Sequence, residues 1–264
     1  MTAPMTAAPQ DTAFLPPAPA PALLGPLLAW LVARSGLDAE GFAQVAAADP
    51  ESVASGANDP VRLAGALAAA HLPYHALTLV GAALPPREGV WWAWVAVRHA
   101  QHVIGERAAA GPAPGAPAPV PPSAAERVAV AAAERWIGDP SDANRRAAWD
   151  AGQAADLGTP AGAACAAAFF TSGSIAAAHS PMAVPPPPGA HVQMAATAVL
   201  LAAIQIDPAQ LPALVNAAVT QAAEVARRIG GWDAAATLAR RHYDAQREQH
   251  GAVLAAATPP APPA

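Results

Sequence analysis

The stretch LPALVNAAVTQAAEVARRI (Leu211–Ile229) decides the fold class. Leu211, Leu214, Val215, Val219, Ala222, Val225 and Ile229 recur at i, i+3/i+4 and i+7, which places them on one stripe of an α-helix. Strand-like alternation of apolar and polar residues is almost absent from the chain. Outward from this stretch the same period returns at Leu63, Leu67 and Ala70, and at Trp91, Val95 and His99. The sequence therefore predicts an all-α protein of antiparallel helical hairpins, arranged as a bundle or a short solenoid.

Helix starts support this reading. Asp59-Pro60, Asp139-Pro140, Thr159-Pro160 and Asp207-Pro208 each offer a side-chain acceptor at an N-cap with proline at the first helical position. Ser123 and Glu126 have capping-box spacing. Expected helices are Leu23–Ser35, Ala39–Ala48, Pro60–Ala70, Tyr74–Ala83, Arg87–Arg107, Ala124–Ile137, Ser141–Ala155, Pro160–Thr171, Ala190–Gln205, Leu211–Ile229 and Asp233–His250.

Proline divides the chain. Of 31 prolines, 22 fall in four tracts, at 4–26, 112–122, 181–188 and 259–263. A fixed φ and a missing N–H keep such tracts out of helix interiors. The expected organisation is a disordered Pro/Ala-rich N-terminus over 1–21 and a helical subdomain over 22–108. A linker at 109–122 leads to a second helical subdomain over 123–250 and a disordered tail over 251–264. Ser180–Pro188 reads as a stiff external loop, and proteolysis is expected first near Arg107 or in the linker.

Composition narrows the function. The 264 residues carry 14 cations, all Arg, against 19 acids, for a net charge of −5. Nucleic-acid binding needs clustered cations. Here they come in ones and twos beside acids, and basic and aromatic residues interleave only from Trp92 to Arg98, so no nucleic-acid partner is expected. The single cysteine, Cys165, permits no internal disulfide. No Arg precedes Arg34, so a secretory leader is not expected and a cytoplasmic location is. Lysine is absent while Ala, Pro, Gly and Arg abound, as in GC-rich bacterial genomes.

Longer stretches resemble a known family. Asn58–His99 (NDPVRLAGALAAAHLPYHALTLVGAALPPREGVWWAWVAVRH) and Ala133–Gly152 (AERWIGDPSDANRRAAWDAG) are followed by Thr159–Ala176 and by HVQMAATAVLLAA (His191–Ala203). Together they resemble uncharacterised bacterial helical proteins grouped as a domain of unknown function. LPPREGVWW, the Trp136–Trp149 stretch and Phe170–Gly173 are the most distinctive pieces. The resemblance implies an association of some members with secretion gene clusters, type VI included, and supplies no catalytic residues.

Candidate chemistry is sparse. His99 and His102, at i, i+3, can share a metal only with a third ligand, and Glu106 reaches them only if the helix continues. The plainer reading is an exposed pair on an Arg-bearing face, and neither metal nor cofactor is expected. Cys165, in AGAACAAAFF, lacks a neighbouring base and reads as a buried helical thiol. Ser174 lacks the glycine pattern of a nucleophile elbow, and Gly173 reads as a left-handed C-cap. No phosphate-binding loop occurs. Glu88 suits a helix start. Asp142 with Arg145 and Arg146, and Glu224 with Arg227 and Arg228, read as surface ion pairs worth a few tenths of a kcal/mol each.

Trp91, Trp92 and Trp94 cannot share one helix face, since neighbours lie about 100° apart. Either the helix is buried on two sides or one Trp meets a partner. Trp92, Arg98, His99 and His102 are therefore the candidate partner-binding residues. No charge occurs between Leu157 and Ile206. Its apolar stretches Ala161–Ala178 and Ala190–Ile206 approach membrane-spanning length, but they are Ala-rich and lack flanking Arg, so a buried central hairpin is expected. The leading expectation is a non-enzymatic adaptor or accessory protein that binds an unidentified protein, with a bacterial secretion apparatus as the setting the resemblance implies. The alternatives are an enzyme assembled from distant groups such as His99, Glu88 and an Arg, and a membrane-associated protein. Oligomeric state stays open.

Overall fold

The structure, a computed structural model, describes residues 26–36, Ala43, 59–111, 120–177, 179–180 and 182–257. Among these residues it is all-α. The helices are α1 (Pro26–Val32), α2 (Pro60–Ala69), α3 (Pro73–Ala82), α4 (Pro86–Ala110), α5 (Ala124–Gly138), α6 (Asp142–Ala154), α7 (Pro160–Phe169), α8 (Ala190–Ile206), α9 (Leu211–Arg228) and α10 (Trp232–Ala257). The expected disordered N-terminus, the core of the linker and the last residues of the tail lie outside the described residues. So does the expected Ala39–Ala48 helix, apart from Ala43.

Most of the predicted caps form. Asp59 accepts from the N–H groups of Val61 and Arg62, Thr159 accepts from Gly162, and Ser123 and Glu126 complete a reciprocal capping box. Asp139 is a correction. It closes α5, and Ser141 caps α6 by accepting from Asn144. The Asp139 carboxylate accepts instead from Ser141 Oγ at 3.1 Å and from Asn144 Nδ2 at 2.9 Å. Asp207-Pro208 likewise opens a single 3-10 turn, Pro208–Gln210, before α9 begins.

Two helices organise the rest. All ten residues of α7 are buried, and it packs against α4, α5, α6 and α8. Its alanines and glycines let neighbours approach closely: a Cβ on Gly152 of α6 would stand 2.7 Å from that of Cys165. The second, α8, packs against α3, α4, α7 and α9. One-dimensional stacking would give each hairpin only sequential neighbours, so the arrangement is a bundle and not a solenoid. The uncharged middle of the chain thus forms the buried centre, as its composition predicts. No single described helix is long and apolar enough to cross a membrane. The pair 190–206 and 208–228 reaches that length and composition only together, bent by 120°.

Residues on both sides of 112–119 share this core. Trp92 of α4 donates its Nε1–H to the Ala218 carbonyl of α9 at 2.9 Å, and Arg107 of α4 donates to the Ile206 carbonyl. The expected external loop Ser180–Pro188 is not fully external over its described residues, 180 and 182–188. Pro185 and Pro186 are buried, and Ile175 N–H donates to Val184 O at 2.7 Å.

A cationic aromatic cleft is the candidate functional site

The four residues singled out in the sequence do not converge. Trp92 is completely buried in the core, so its proposed availability to a partner is overturned. Trp91 and Trp94 are half-buried, and Trp94 Nε1 donates to Val130 O at 3.2 Å. Arg98 lies over the Trp94 ring, 5.2 Å from its centroid, with Glu134 at 3.6 Å. It therefore ties α4 to α5. The helix does continue past His102, and His102 Nε2 meets Glu106 Oε1 at 3.4 Å on an exposed face. His99 lines a shallow apolar groove of about 350 Å³ between α4, α8 and α9. Glu88 sits eleven residues earlier on the same helix, about 16 Å away along its axis at 1.5 Å per residue. His99 and Glu88 therefore do not meet. Among the described residues no three His, Cys, Asp or Glu side chains come together as a metal site.

Cys165 is fully buried, its Sγ donating to Ala129 O at 3.1 Å, and burial pushes the thiol pKa up to about 12. Its thiolate is unavailable at neutral pH. The Asp142 cluster is more than a surface ion pair, which corrects the sequence reading. Arg145 is 1 % exposed; its guanidinium donates to Asp142 Oδ1, to Phe169 O at 2.8 Å and to Ser174 O at 2.9 Å. Arg146 adds bonds to Ala176 O and Ser174 O. Hydrogen bonds from Arg145 and then Arg146 hold the Asp142 carboxyl below its ordinary range, against an opposing effect of burial. This clamp fixes the 170–176 segment, which leads into α8. Gly173 is left-handed, with φ +71°, but Phe170 is the C-cap.

The feature that resembles a binding site lies elsewhere. A cleft of about 550 Å³ opens between α1, the N-terminal end of α8 and α10, with Ala82 and Leu84 beneath. Trp30 and Tyr243 meet edge to face at 6.2 Å between centroids. The Arg34 guanidinium lies 4.3 Å from the Tyr243 ring centroid and 5.6 Å from that of Trp30. Arg240 also reaches the Trp30 ring, at 5.0 Å. Arg247, His191, Gln193 and His250 add polar side chains to the lining. The walls are held by hydrogen bonds: His75 Nδ1 donates to Ser35 O at 2.9 Å, joining α3 to the end of α1. The buried Gln246 donates to Phe170 O at 3.1 Å and Thr171 O at 2.9 Å, joining α10 to the segment before α8.

The electrostatics of the cleft are one-sided. Among the described residues, Arg34 and Arg247 line it and no carboxylate does. Asp233 and Asp244 line a separate groove with Arg240 and Arg241. His191 is 6 % exposed, and its ring meets that of His242 edge-on at 5.3 Å. Burial, and secondarily His242, pushes the His191 pKa down to about 3, so the imidazole is neutral. Arg34 Nε, His191 Nδ1 and His242 Nε2 are buried without hydrogen-bond partners. Such groups are costly to leave unsatisfied.

Sequence reasoning missed this cleft. A signal was present: Trp30 with Arg34, and Tyr243 with Arg247, repeat an aromatic-to-Arg spacing of four. The two pairs lie some two hundred residues apart, and only folding brings them together.

The chain belongs to a family of unknown function (DUF6931), which it matches over residues 63–226. The match includes the Arg145 clamp and the α3 and α8 sides of the cleft. Trp30, Arg34, Tyr243 and Arg247 come from outside it. No curated protein and no solved structure matches the chain.

Proposed function

We propose that this protein is a non-enzymatic helical adaptor that acts by holding a partner protein, and that the cleft between α1, α8 and α10 is its recognition site. The supporting observation is that Arg34, with no acidic partner among the described residues, lies over the Tyr243 and Trp30 rings, with Arg247 lining the same cleft above Ala82 and Leu84. Arg, Trp and Tyr carry most of the energy in binding surfaces because they combine apolar area with directional donors. The catalytic alternative draws no support from His99 and Glu88, which stand far apart on one helix. The secretion-apparatus setting rests on the resemblance alone, and it guides only the choice of host.

A photo-crosslinking residue at Ala33, inside the cleft, and another at Ala143, exposed on α6, test this in the native host. A discrete adduct is expected from position 33, absent from 143, and lost when Tyr243→Ala is added. Equal adducts at both positions, or an adduct indifferent to Tyr243, would overturn the reading.

A further inference from the structure

We infer that the cleft recognises an anionic oxygen group, a carboxylate or a phosphate, carried on a flat aromatic or apolar body. The inference rests on the cleft being the recognition site and names what it takes.

Charge is the first argument. The chain as a whole carries −5, yet the described cleft lining contains Arg34 and Arg247 and no acid. Among the described residues no ion pair neutralises either arginine, and none neutralises Arg87, Arg107, Arg127, Arg135, Arg240 or Arg241; what sets the two apart is that they line one cleft. The described lining of the cleft is therefore positive, and its partly enclosed, low-dielectric walls strengthen the attraction for an anion.

The backbone points the same way. The 17-residue α8 begins at the cleft with Gly189 as N-cap; the glycine has no side chain to cap the first turn, Gln246 Oε1 accepts from its N–H at 3.5 Å, and Pro187 O accepts from Ala190 N–H. A helix start in this condition attracts negative charge. Independently of it, the nine-tenths-buried His191 lines the cleft with Nδ1 unpartnered, as does Arg34 with its Nε. A neutral imidazole supplies or receives a hydrogen bond without adding charge, while the arginines supply permanent charge. Guanidinium groups pair with carboxylate and phosphate in a planar fork.

Shape sets the remainder of the ligand. Trp30 and Tyr243 present ring surface, and Ala82, Leu84 and Val192 present aliphatic surface. A volume near 550 Å³ accommodates a fused ring with one charged substituent, and small-molecule sites generally run from about 300 to 1,000 Å³. The same chemistry arises from a free aromatic acid or from an acidic residue beside an aromatic one on a partner chain.

Titration calorimetry of the full chain separates these. The free probes are 1-naphthaleneacetate and 1-naphthyl phosphate, against the isosteric 1-naphthaleneacetamide. The peptide probes are acetyl-Phe-Asp-amide against acetyl-Phe-Asn-amide. At least one anion is expected to bind tenfold or more tightly than its neutral counterpart. Arg34→Gln and Arg247→Gln should each remove most of that difference, while Arg241→Gln, in the neighbouring groove, leaves it. Preference confined to the naphthyl pair identifies a free ligand, and preference confined to the peptide pair a partner's side chain. Equal binding of anion and amide, lost in Tyr243→Ala, would leave the cleft as the recognition site and overturn the anion inference. No binding of any anion above its neutral counterpart also overturns it, while the position-33 crosslink reports separately on the recognition site.

Discussion

A β-carbon on Gly173 would stand 2.9 Å from Nη2 of Arg145, because the turn carrying this glycine lies directly on a buried guanidinium. The positive φ of Gly173, +71°, adds a backbone cost of about 1–2 kcal/mol for any L side chain. Gly173→Ala should therefore lower stability by about 2 kcal/mol in urea denaturation. Arg145→Ala should cost about 3 kcal/mol or more. It strands the Phe169 carbonyl, takes from Ser174 O the shorter of its two arginine hydrogen bonds, and removes a cation lying 4.6 Å from the centroid of the Phe169 ring. Arg145→Lys should not rescue it, since an ammonium cannot reproduce the three directions of the fork. Stability of Arg145→Lys equal to that of the parent would mean that the site needs only a charge.

Trp92 and Arg98 supply a contrast on one helix. Trp92→Phe removes the donor to Ala218 O and leaves space at the junction of α4 and α9, where Gly81 also comes close. It should cost about 2–3 kcal/mol. Arg98→Ala breaks an exposed 3.6 Å pair and should change stability by less than about 1 kcal/mol. Reversal of this order, read from the same urea curves, would contradict the burial assigned to the two side chains.

The sequence made the helices legible because caps and periodicity are local. It was weaker wherever two local signals competed. Asp139 and Ser141 both suit a cap, and only the helix geometry chooses Ser141. The last helix reads as ending at His250, yet α10 runs to Ala257. Gly251 costs a helix about 1 kcal/mol without breaking it, and the alanines that follow favour helix. Arg145 reads as a surface ion-pair member because Asp142 is three residues away; nothing local shows that Phe169 and Ser174 will close over it. The cleft was invisible for the same reason on a larger scale. Its arginines sit on segments that look like ordinary amphipathic turns until α1 and α10 face one another.

The two sides of residues 112–119 should remain together after the chain is cut. The packing of α8 against α3 and α4, and of α9 against α2 and α3, spans the cut, as do the bonds from Trp92 and Arg107. With a protease site inserted between Ala116 and Pro117, the cleaved protein should elute from gel filtration as one species. The fragments should separate only in denaturant. Separation in native buffer would show that the shared core does not hold them.

His191 makes stability depend on pH. Its folded pKa is depressed to about 3 by burial and by His242, while in the unfolded chain it titrates near 6.5. Between those values the unfolded chain binds the extra proton, so stability falls as pH falls through 6.5 and is flat above about 7.5. His242 is shifted the same way, chiefly by burial, with a hydrogen bond to the Thr171 backbone acting in opposition. Glu224 and Asp142 are held below their ordinary values, Glu224 at about 2, so their contributions disappear only at pH below roughly 4.5. Between pH 7.5 and 5.5 the histidines therefore dominate, and His191 alone should account for about 1.4 kcal/mol of the loss. In urea denaturation at the two pH values, His191→Gln should shrink the difference by about that amount, whatever its effect at pH 7.5. An unchanged difference would mean that His191 protonates in the folded protein as readily as in the unfolded chain, which its burial against His242 opposes.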